Sequence, residues 1–293
     1  MRNKLNPENI NLTTSVVIIT HNRPDYLEQS LRGVVEQSTK ADEVIVVDDF
    51  SSVDYSVVLN QFSELNIKYH KLQKPSGANK ARNEGIKLAS NAIVLLLDDD
   101  DIWMPNYILE HLNRYKNGAD AVVSGHQRLG SDIIKINDSA IVTEDELRKG
   151  NRFCGMSGVS AKREILLEHP LDEALGNGQD WDLFVRVCRA QCNFVNIRKA
   201  IFYYRMGTPD GITSNVRKMT VDNIDTRLKA AQKHQEWLGD KYYKERVAEQ
   251  VLSFLPSKKN KLSWIKKSIS LIGTVATLST LLDKIIRKKR TDL

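Results

Sequence analysis

At 293 residues, with 41% hydrophobic and 27% charged residues, the chain has an ordinary globular composition and length enough for a sizeable core. Its net charge is +6, yet residues 256–293 hold ten Lys or Arg against two Asp, a net of +8 that leaves −2 for residues 1–255. The main body therefore lacks the basic face a nucleic-acid-binding core needs, and the three cysteines, Cys154, Cys188 and Cys192, form no CxxC pair and read as buried, reduced thiols.

The first fourteen residues, MRNKLNPENINLTT, contain no apolar signal-peptide core, and no stretch reaches the roughly 18–20 apolar residues of a membrane span. A cytoplasmic protein is expected. Residues 15–20, SVVIIT, are a β-branched apolar run of buried-strand type. Pro24 suits the first turn of a helix in which Leu27, Leu31, Val34 and Val35 recur at helical spacing. EVIVVDD (43–49) is a second buried strand ending in two carboxylates, and IKYHKL (67–72) a third. Ala78–Ala89 reads as a helix, and AIVLLLDDDD (92–101) as a fourth strand, again ending in acid. Strands alternating with helices at this spacing predict an α/β fold with a mainly parallel sheet flanked by helices. AVVSG (121–125) is a further strand, and Asp132–Ile136 part of a hairpin. Helices are expected near 162–167 and over 181–190, two short strands within 194–205, and helices at roughly 216–238 and 240–254. The one composition break, GTPDGITSN (207–215), gives three segments: a catalytic domain over 13–210, a helical extension over 211–255 and a basic tail over 256–293.

In an open α/β sheet, ligands bind at the carboxyl ends of the strands. Three polar clusters fall there: Thr20-His21-Asn22-Arg23, Asp48-Asp49, and Asp98 to Asp101. Four successive Asp repel one another unless a cation relieves them, and a hard cation takes one or two carboxylates together with phosphate oxygens. Asp98 and Asp100 alternate, so they face the same way if the strand continues. Neither GxGxxG nor GxxxxGK[ST] occurs, which disfavours a dinucleotide fold and a P-loop, and the loop lacks the spaced ligands of an EF-hand.

SVVIITHNRPDYL, EVIVVDDFSSVD, GANKARNEG, LLLDDDDIWMP and GQDWDLFVRV follow one another as in family 2 inverting glycosyltransferases of the GT-A fold. The resemblance covers about residues 13–206. It implies metal-dependent transfer, with Mn²⁺ or Mg²⁺, from a UDP-sugar to a hydroxyl of a glycan or lipid-linked acceptor in bacterial polysaccharide or lipopolysaccharide synthesis. It implies that Thr20, His21, Asn22 and Arg23 line the nucleotide site, with His21 where the family often has Tyr. Asp49 matches the residue that bonds uracil, with Ser51 nearby. Arg82 and Asn83 match the segment that approaches the donor's sugar and phosphates. Asp98 and Asp100 match the outer acids of the DxD motif, Asp100 foremost for the metal, and Asp99 faces the donor ribose or sugar.

Asp180 matches the catalytic base. A sugar hydroxyl is a weak nucleophile, and a carboxylate has to take its proton. The family usually has Glu-Asp here, whereas this chain has Gln179-Asp180. Asp is also a favoured N-cap, so Asp180 also reads as the cap of the helix at Trp181. Many relatives carry a His in the region of YYRMGTPDGITS; here Arg205 or Ser214 stands in for it. FCGMSGVS (153–160) matches the acceptor-side loop. Two other classes compete: a catalytically inactive nucleotide-binding scaffold, and a sugar-phosphate nucleotidyltransferase, which would need a Gly-rich basic loop after SVVIIT.

The tail contains fifteen uncharged residues between Lys267 and Asp283. Wound as one helix, Trp264, Leu271, Ile272, Val275, Leu278, Leu282, Ile285 and Ile286 share a face, with Lys266, Lys284, Arg287 and Lys288 away from its centre. Such a basic amphipathic helix suits the inner-leaflet membrane surface; packing on the catalytic domain or on a partner chain is the alternative.

Overall fold

The computed structural model describes residues 12–207 and 216–291, and the side chains of the last helix as far as Asp283. The chain divides into two compact units. The first runs to Met206, apart from residues 148–150 and 175–178, which belong with the second, formed mainly by the chain from Gly207 onward.

The first unit is built on a nine-stranded sheet. Four strands, β1 (Thr14–Thr20), β2 (Glu43–Asp48), β3 (Ile67–Lys71) and β4 (Ile93–Asp98), lie parallel in the order β3-β2-β1-β4. β1, β2 and β4 are apolar runs because both of their faces are covered, and Val16, Ile18, Val46 and Leu95 are fully buried. Beyond β4 the sheet is mixed: β8 (Val159–Lys162) runs antiparallel between β4 and β6 (Ala121–Arg128), and β9 (Phe194–Tyr204) lies parallel to β6. The short β5 (Ile102–Trp103) pairs with β9, and β7 (Ile134–Lys135) forms the expected hairpin with β6. The two strands expected within 194–205 are a single strand. Arg198 has φ +52° and the β6–β9 register shifts around Gly125, so a bulge breaks the alternation that made two strands out of one.

Helices cover the sheet: α1 (Pro24–Val35), α2 (Ser56–Leu59), α3 (Ala78–Leu88), α4 (Tyr107–Lys116), α5 (Glu144–Arg148), α6 (Arg163–Glu168) and α7 (Gln179–Arg189). Pro24 opens α1, as its fixed φ and missing N–H favour. In α3, Gly85 is required by close approach: a Cβ there would lie 2.3 Å from Val17 Cγ1 and 3.2 Å from Val47 Cγ2. Its absence lets α3, which carries Arg82, lie directly on β1 and β2.

In the second unit, α8 (Asp225–Lys233), α9 (Gln235–Val251), α10 (Lys261–Ile272) and α11 (Thr274–Thr291) enclose a core of their own. Ile224, Leu228, Val247, Val251, Leu252, Trp264 and Ile272 meet there. The segments 211–255 and 256–293 thus share one core. The single amphipathic face expected for the tail is corrected on two counts. Gly273, at φ +84°, breaks the helix in two, and Trp264 and Ile272 are core residues. Leu271, Val275, Leu278 and Leu282 remain exposed. The side chains of Lys284, Ile285, Ile286, Arg287 and Lys288 lie outside the described residues, as does Ser214.

Candidate active site

β1, β2 and β4 are neighbours in register, with Thr20 opposite Asp48 and Ile19 opposite Asp98. The three polar clusters read from the sequence therefore share one edge of the sheet.

The β1 and β2 ends are tied together by Tyr55, a buried residue that the sequence reading missed. Its hydroxyl lies 2.9 Å from Thr20 Oγ1 and 3.2 Å from Ser51 Oγ, and accepts the Arg23 N–H at 3.0 Å. The Asn22 N–H donates to Ser51 Oγ (2.8 Å), and Asn22 Oδ1 accepts the Ser52 N–H (2.8 Å). Asn22 has φ +55°, a conformation Asn tolerates better than other side chains. His21 Nδ1 lies 2.7 Å from the Asp49 carbonyl oxygen, so a proton on Nδ1 makes it the donor. Asp48 is fully buried and accepts the Ser51 N–H and the Tyr69 hydroxyl, both at 2.7 Å. The Asp49 carboxylate accepts the N–H groups of Ser76 and Gly77 at 2.7 and 2.8 Å, which shapes the loop leading into α3.

At the end of β4 the arrangement differs from the expected alternation. The strand stops at Asp98, and the Asp101 N–H turns back to the Asp98 carbonyl at 3.1 Å. That turn brings one carboxylate oxygen from each of Asp98, Asp100 and Asp101 within 4.8 Å of the others. Asp101, absent from the expected ligand set, thus joins Asp98 and Asp100. Asp99 faces the other way, accepting the Thr20 hydroxyl at 2.7 Å, with Arg23 Nη1 3.4 Å away. Arg82, itself buried, donates to Asp98 Oδ1 at 2.5 Å. Arg205 donates through its backbone N–H to Asp101 Oδ1 and through Nε to the Asp100 carbonyl, both at 2.9 Å, while its guanidinium lies over the Tyr26 ring. Arg205 thus contacts the acid cluster directly.

Burial dominates the electrostatics. It lifts Asp99 to a pKa of about 7, against the Thr20 hydrogen bond. Burial and then the Asp98 charge lift Asp100 to about 6. Asp101 is raised well above the usual carboxylate range by burial and by Asp100 and Asp98. Desolvated carboxylates that cannot all hold charge comfortably, and that present hard oxygen donors, fit a divalent cation of the Mg²⁺ or Mn²⁺ type.

Asp180 lies in the first turn of α7 rather than before it, because the helix begins at Gln179; this corrects the capping alternative. Its Oδ1 accepts the Trp181 N–H at 2.8 Å and its Oδ2 the Asn151 amide at 2.7 Å. Burial raises the Tyr204 hydroxyl, reinforced by the charges of Asp101, Asp100, Asp98 and Asp180, so this ring lies within the field of both the acid cluster and Asp180. Asn83 stands apart from these groups. Its amide donates to the Leu171 carbonyl and to Glu173, and accepts the Leu171 N–H.

Residues 15–154 match the model of glycosyl transferase family 2. An uncharacterized glycosyltransferase of Nostoc sp. is 26% identical over 215 residues, 66% of this chain and 64% of that protein, so the match spans just under two thirds of that relative. The GalNAc(5)-diNAcBac-PP-undecaprenol beta-1,3-glucosyltransferase of Campylobacter jejuni is 29% identical over 214 residues, 70% of this chain and 68% of that one. Among solved structures, S. aureus TarS 1-349 in complex with UDP-GlcNAc superposes with a TM-score of 0.66 at 18% identity, covering 87% of this chain and 79% of TarS. The fold is GT-A. Residues 15–154, just under half of the chain, thus form a glycosyltransferase domain of glycosyl transferase family 2.

Proposed function

We propose that the protein is an inverting glycosyltransferase that moves a sugar from a UDP-sugar to a hydroxyl of a glycan or lipid-linked acceptor. The observation that carries this reading is the convergence of the Asp98, Asp100 and Asp101 carboxylates at the strand-end edge; that these acids and Asp180 all act on Tyr204 supports it. The TarS complex with UDP-GlcNAc supports a UDP-sugar donor, and the undecaprenol-linked substrate named for the Campylobacter relative supports a lipid-linked acceptor.

Asp98, Asp100 and Asp101 would hold Mn²⁺ or Mg²⁺, which when bound offsets the negative charge of the diphosphate leaving group. Thr20, His21, Asn22, Arg23, Asp49 and Ser51 frame the nucleotide, and Asp99 holds Thr20 and Arg23 in place beneath it. Arg82 and Arg205, already paired with the cluster, balance its charge. Asp180 takes the proton of the acceptor hydroxyl while that oxygen attacks the anomeric carbon. Attack opposite to the departing UDP converts an α-linked donor into a β-linked product.

UDP release from a panel of UDP-sugars, with Mn²⁺ and with EDTA, tests the reading. Release from one donor, abolished by EDTA, is expected. Asp180→Asn is expected to lower turnover by about 10²–10⁴-fold, the usual worth of a positioned base, with UDP affinity unchanged. A fully active Asp180→Asn variant removes this residue from the mechanism, and UDP binding without release from any donor or acceptor favours the inactive-scaffold alternative.

The second unit supplies the proposed membrane contact. Leu271, Val275, Leu278 and Leu282 are 38, 84, 51 and 59% exposed, the last three spaced so as to line one side of α11, and Lys259, Lys261 and Lys266 are exposed on the same unit. No helix among the described residues is long and apolar enough to cross a membrane, whereas an apolar stripe with basic neighbours suits attachment to an anionic surface. This supports a location on the inner face of the cell membrane. Leu278→Glu with Leu282→Glu is expected to abolish cosedimentation with anionic vesicles; unchanged cosedimentation overturns the contact.

A further inference from the structure

We infer that Asn151 is the positioning residue for Asp180, an inference that rests on the reading of Asp180 as the base. Asn151 engages both hydrogens and the oxygen of its side-chain amide. Its two amide hydrogens go to Asp180 Oδ2 and to the Cys154 carbonyl, both at 2.7 Å, and its Oδ1 accepts the Phe153 N–H at 3.0 Å. Those three partners fix which way the amide points. Turned over, it would set its oxygen against a carbonyl and a carboxylate and its NH₂ against an N–H.

The anchor is rigid on both sides. Phe153 and Cys154 are buried, and a Cβ on Gly158 would lie 2.8 Å from Cys154 Sγ and 2.7 Å from Phe202 Cε1, so the loop has no room to shift inward. On the helix side, Trp181, fully buried, donates its indole N–H to the Leu147 carbonyl at 2.7 Å and holds the first turn of α7. Asp180 is thus gripped at Oδ1 by the Trp181 backbone and at Oδ2 by Asn151. A half-buried carboxylate on a short side chain has two torsions to fix, and the Asn151 amide fixes the carboxylate plane from across the loop. Orientation of this kind matters because a base has to lie within hydrogen-bond reach of one particular acceptor hydroxyl.

Two substitutions separate this role from a merely structural one. Asn151→Ala removes all three hydrogen bonds. Asn151→Asp has the same shape and keeps an acceptor for the Phe153 N–H, but places a carboxylate oxygen where the amide donated to Asp180. If Asn151 only shapes the loop, both variants, each lacking the donor to the Cys154 carbonyl, lose stability and UDP affinity together with turnover. If Asn151 positions the base, both lose turnover and the Asp variant loses more. We expect kcat to fall by about 10-fold for Asn151→Ala and about 100-fold for Asn151→Asp, in keeping with the cost of misplacing a catalytic group. Donor KM and metal-dependent UDP affinity are expected within twofold of wild type, which also certifies that the variants are folded. Asn151→Asp at wild-type kcat overturns the inference, as does a loss of UDP affinity matching the loss of turnover. Asp180→Asn is measured alongside. If that variant is inactive while Asn151→Asp is fully active, only the positioning role fails; if Asp180→Asn is itself fully active, the base reading fails.

Discussion

The two strands that flank β1 both end in runs of aspartate, and the two runs do different work. At the end of β2, each carboxylate oxygen of Asp48 and Asp49 accepts a hydrogen bond, from Ser51, Tyr69, Ser76 and Gly77. Those acids build loops. At the end of β4, three carboxylates converge, and burial lifts Asp100 and Asp101 above their ordinary pKa. A buried carboxylate that accepts several N–H groups is content as an anion, whereas one crowded by like charges is not. Their surroundings, not residue type, separate scaffold from candidate metal site.

The sharpest way to break this comparison is to exchange the defects. Asp100→Ala is expected to lower turnover by about 10²–10³-fold, the range for losing one group that stabilises transition-state charge, and to abolish the effect of Mn²⁺ on UDP affinity. Asp48→Ala is expected to keep that Mn²⁺ effect while lowering unfolding stability by about 1–3 kcal/mol, since it strands the Ser51 N–H and the Tyr69 hydroxyl. Isothermal titration with UDP and Mn²⁺, together with urea unfolding, measures both. Loss of the Mn²⁺ effect in Asp48→Ala would make the two strand ends one site.

A smaller effect follows from pH. For Asp99 and Asp100 the folded pKa values, about 7 and about 6, lie above the ordinary 3.8. The metal-free fold therefore binds more protons than the unfolded chain between about pH 4 and 7, and stability falls as pH rises through that window. Glu43, at the start of β2, works in the opposite sense. Its burial would raise its pKa, but hydrogen bonds from Lys68, Ser15 and Ser90 outweigh it and hold it at about 2. Its contribution is present above its ordinary 4.5 and is lost as pH falls toward 2. In EDTA, the melting temperature is expected to peak near pH 4–5 and decline toward neutrality. Mn²⁺ is expected to remove the decline on the alkaline side and leave the acid side unchanged. A melting temperature that rises from pH 5 to 7 in EDTA contradicts the strain assigned to the β4 acids.

The parallel strands were legible because buried β-branched runs have few other uses, and the strand-end clusters because a parallel sheet collects its strand ends on one edge. Geometry that depends on a turn was not legible. Alternation along a continuing strand pairs Asp98 with Asp100, but the turn after Asp98 adds Asp101 and sends Asp99 toward Thr20. Tyr55 carries no motif; its role arises because the Thr20 and Ser51 hydroxyls and the Arg23 N–H meet at its own hydroxyl. Asn83 lies one residue from Arg82 on α3, and one helical step was enough to turn it toward Leu171 and Glu173. In the tail, helical spacing was counted straight through Gly273, which assigned the core residues Trp264 and Ile272 to an outer face. Periodicity identifies an apolar face but not what covers it.

Asp49 sharpens the comparison furthest, because two roles meet on one carboxylate. Its oxygens already accept the N–H groups of Ser76 and Gly77, yet each carboxylate oxygen retains a second lone pair. One of these can accept the N3–H of uracil, a donor that guanine presents in a different place. Asp49→Ala should therefore cost UDP affinity by about 10-fold, the worth of a hydrogen bond to a charged acceptor, and cost GDP affinity much less, so that the preference for UDP narrows. Metal dependence is expected to stay intact, since Asp98, Asp100 and Asp101 are untouched. Competition of UDP and GDP for the variant reads this directly. Equal losses for both nucleotides would make Asp49 a loop anchor alone, and the β2 acids would then be scaffold throughout.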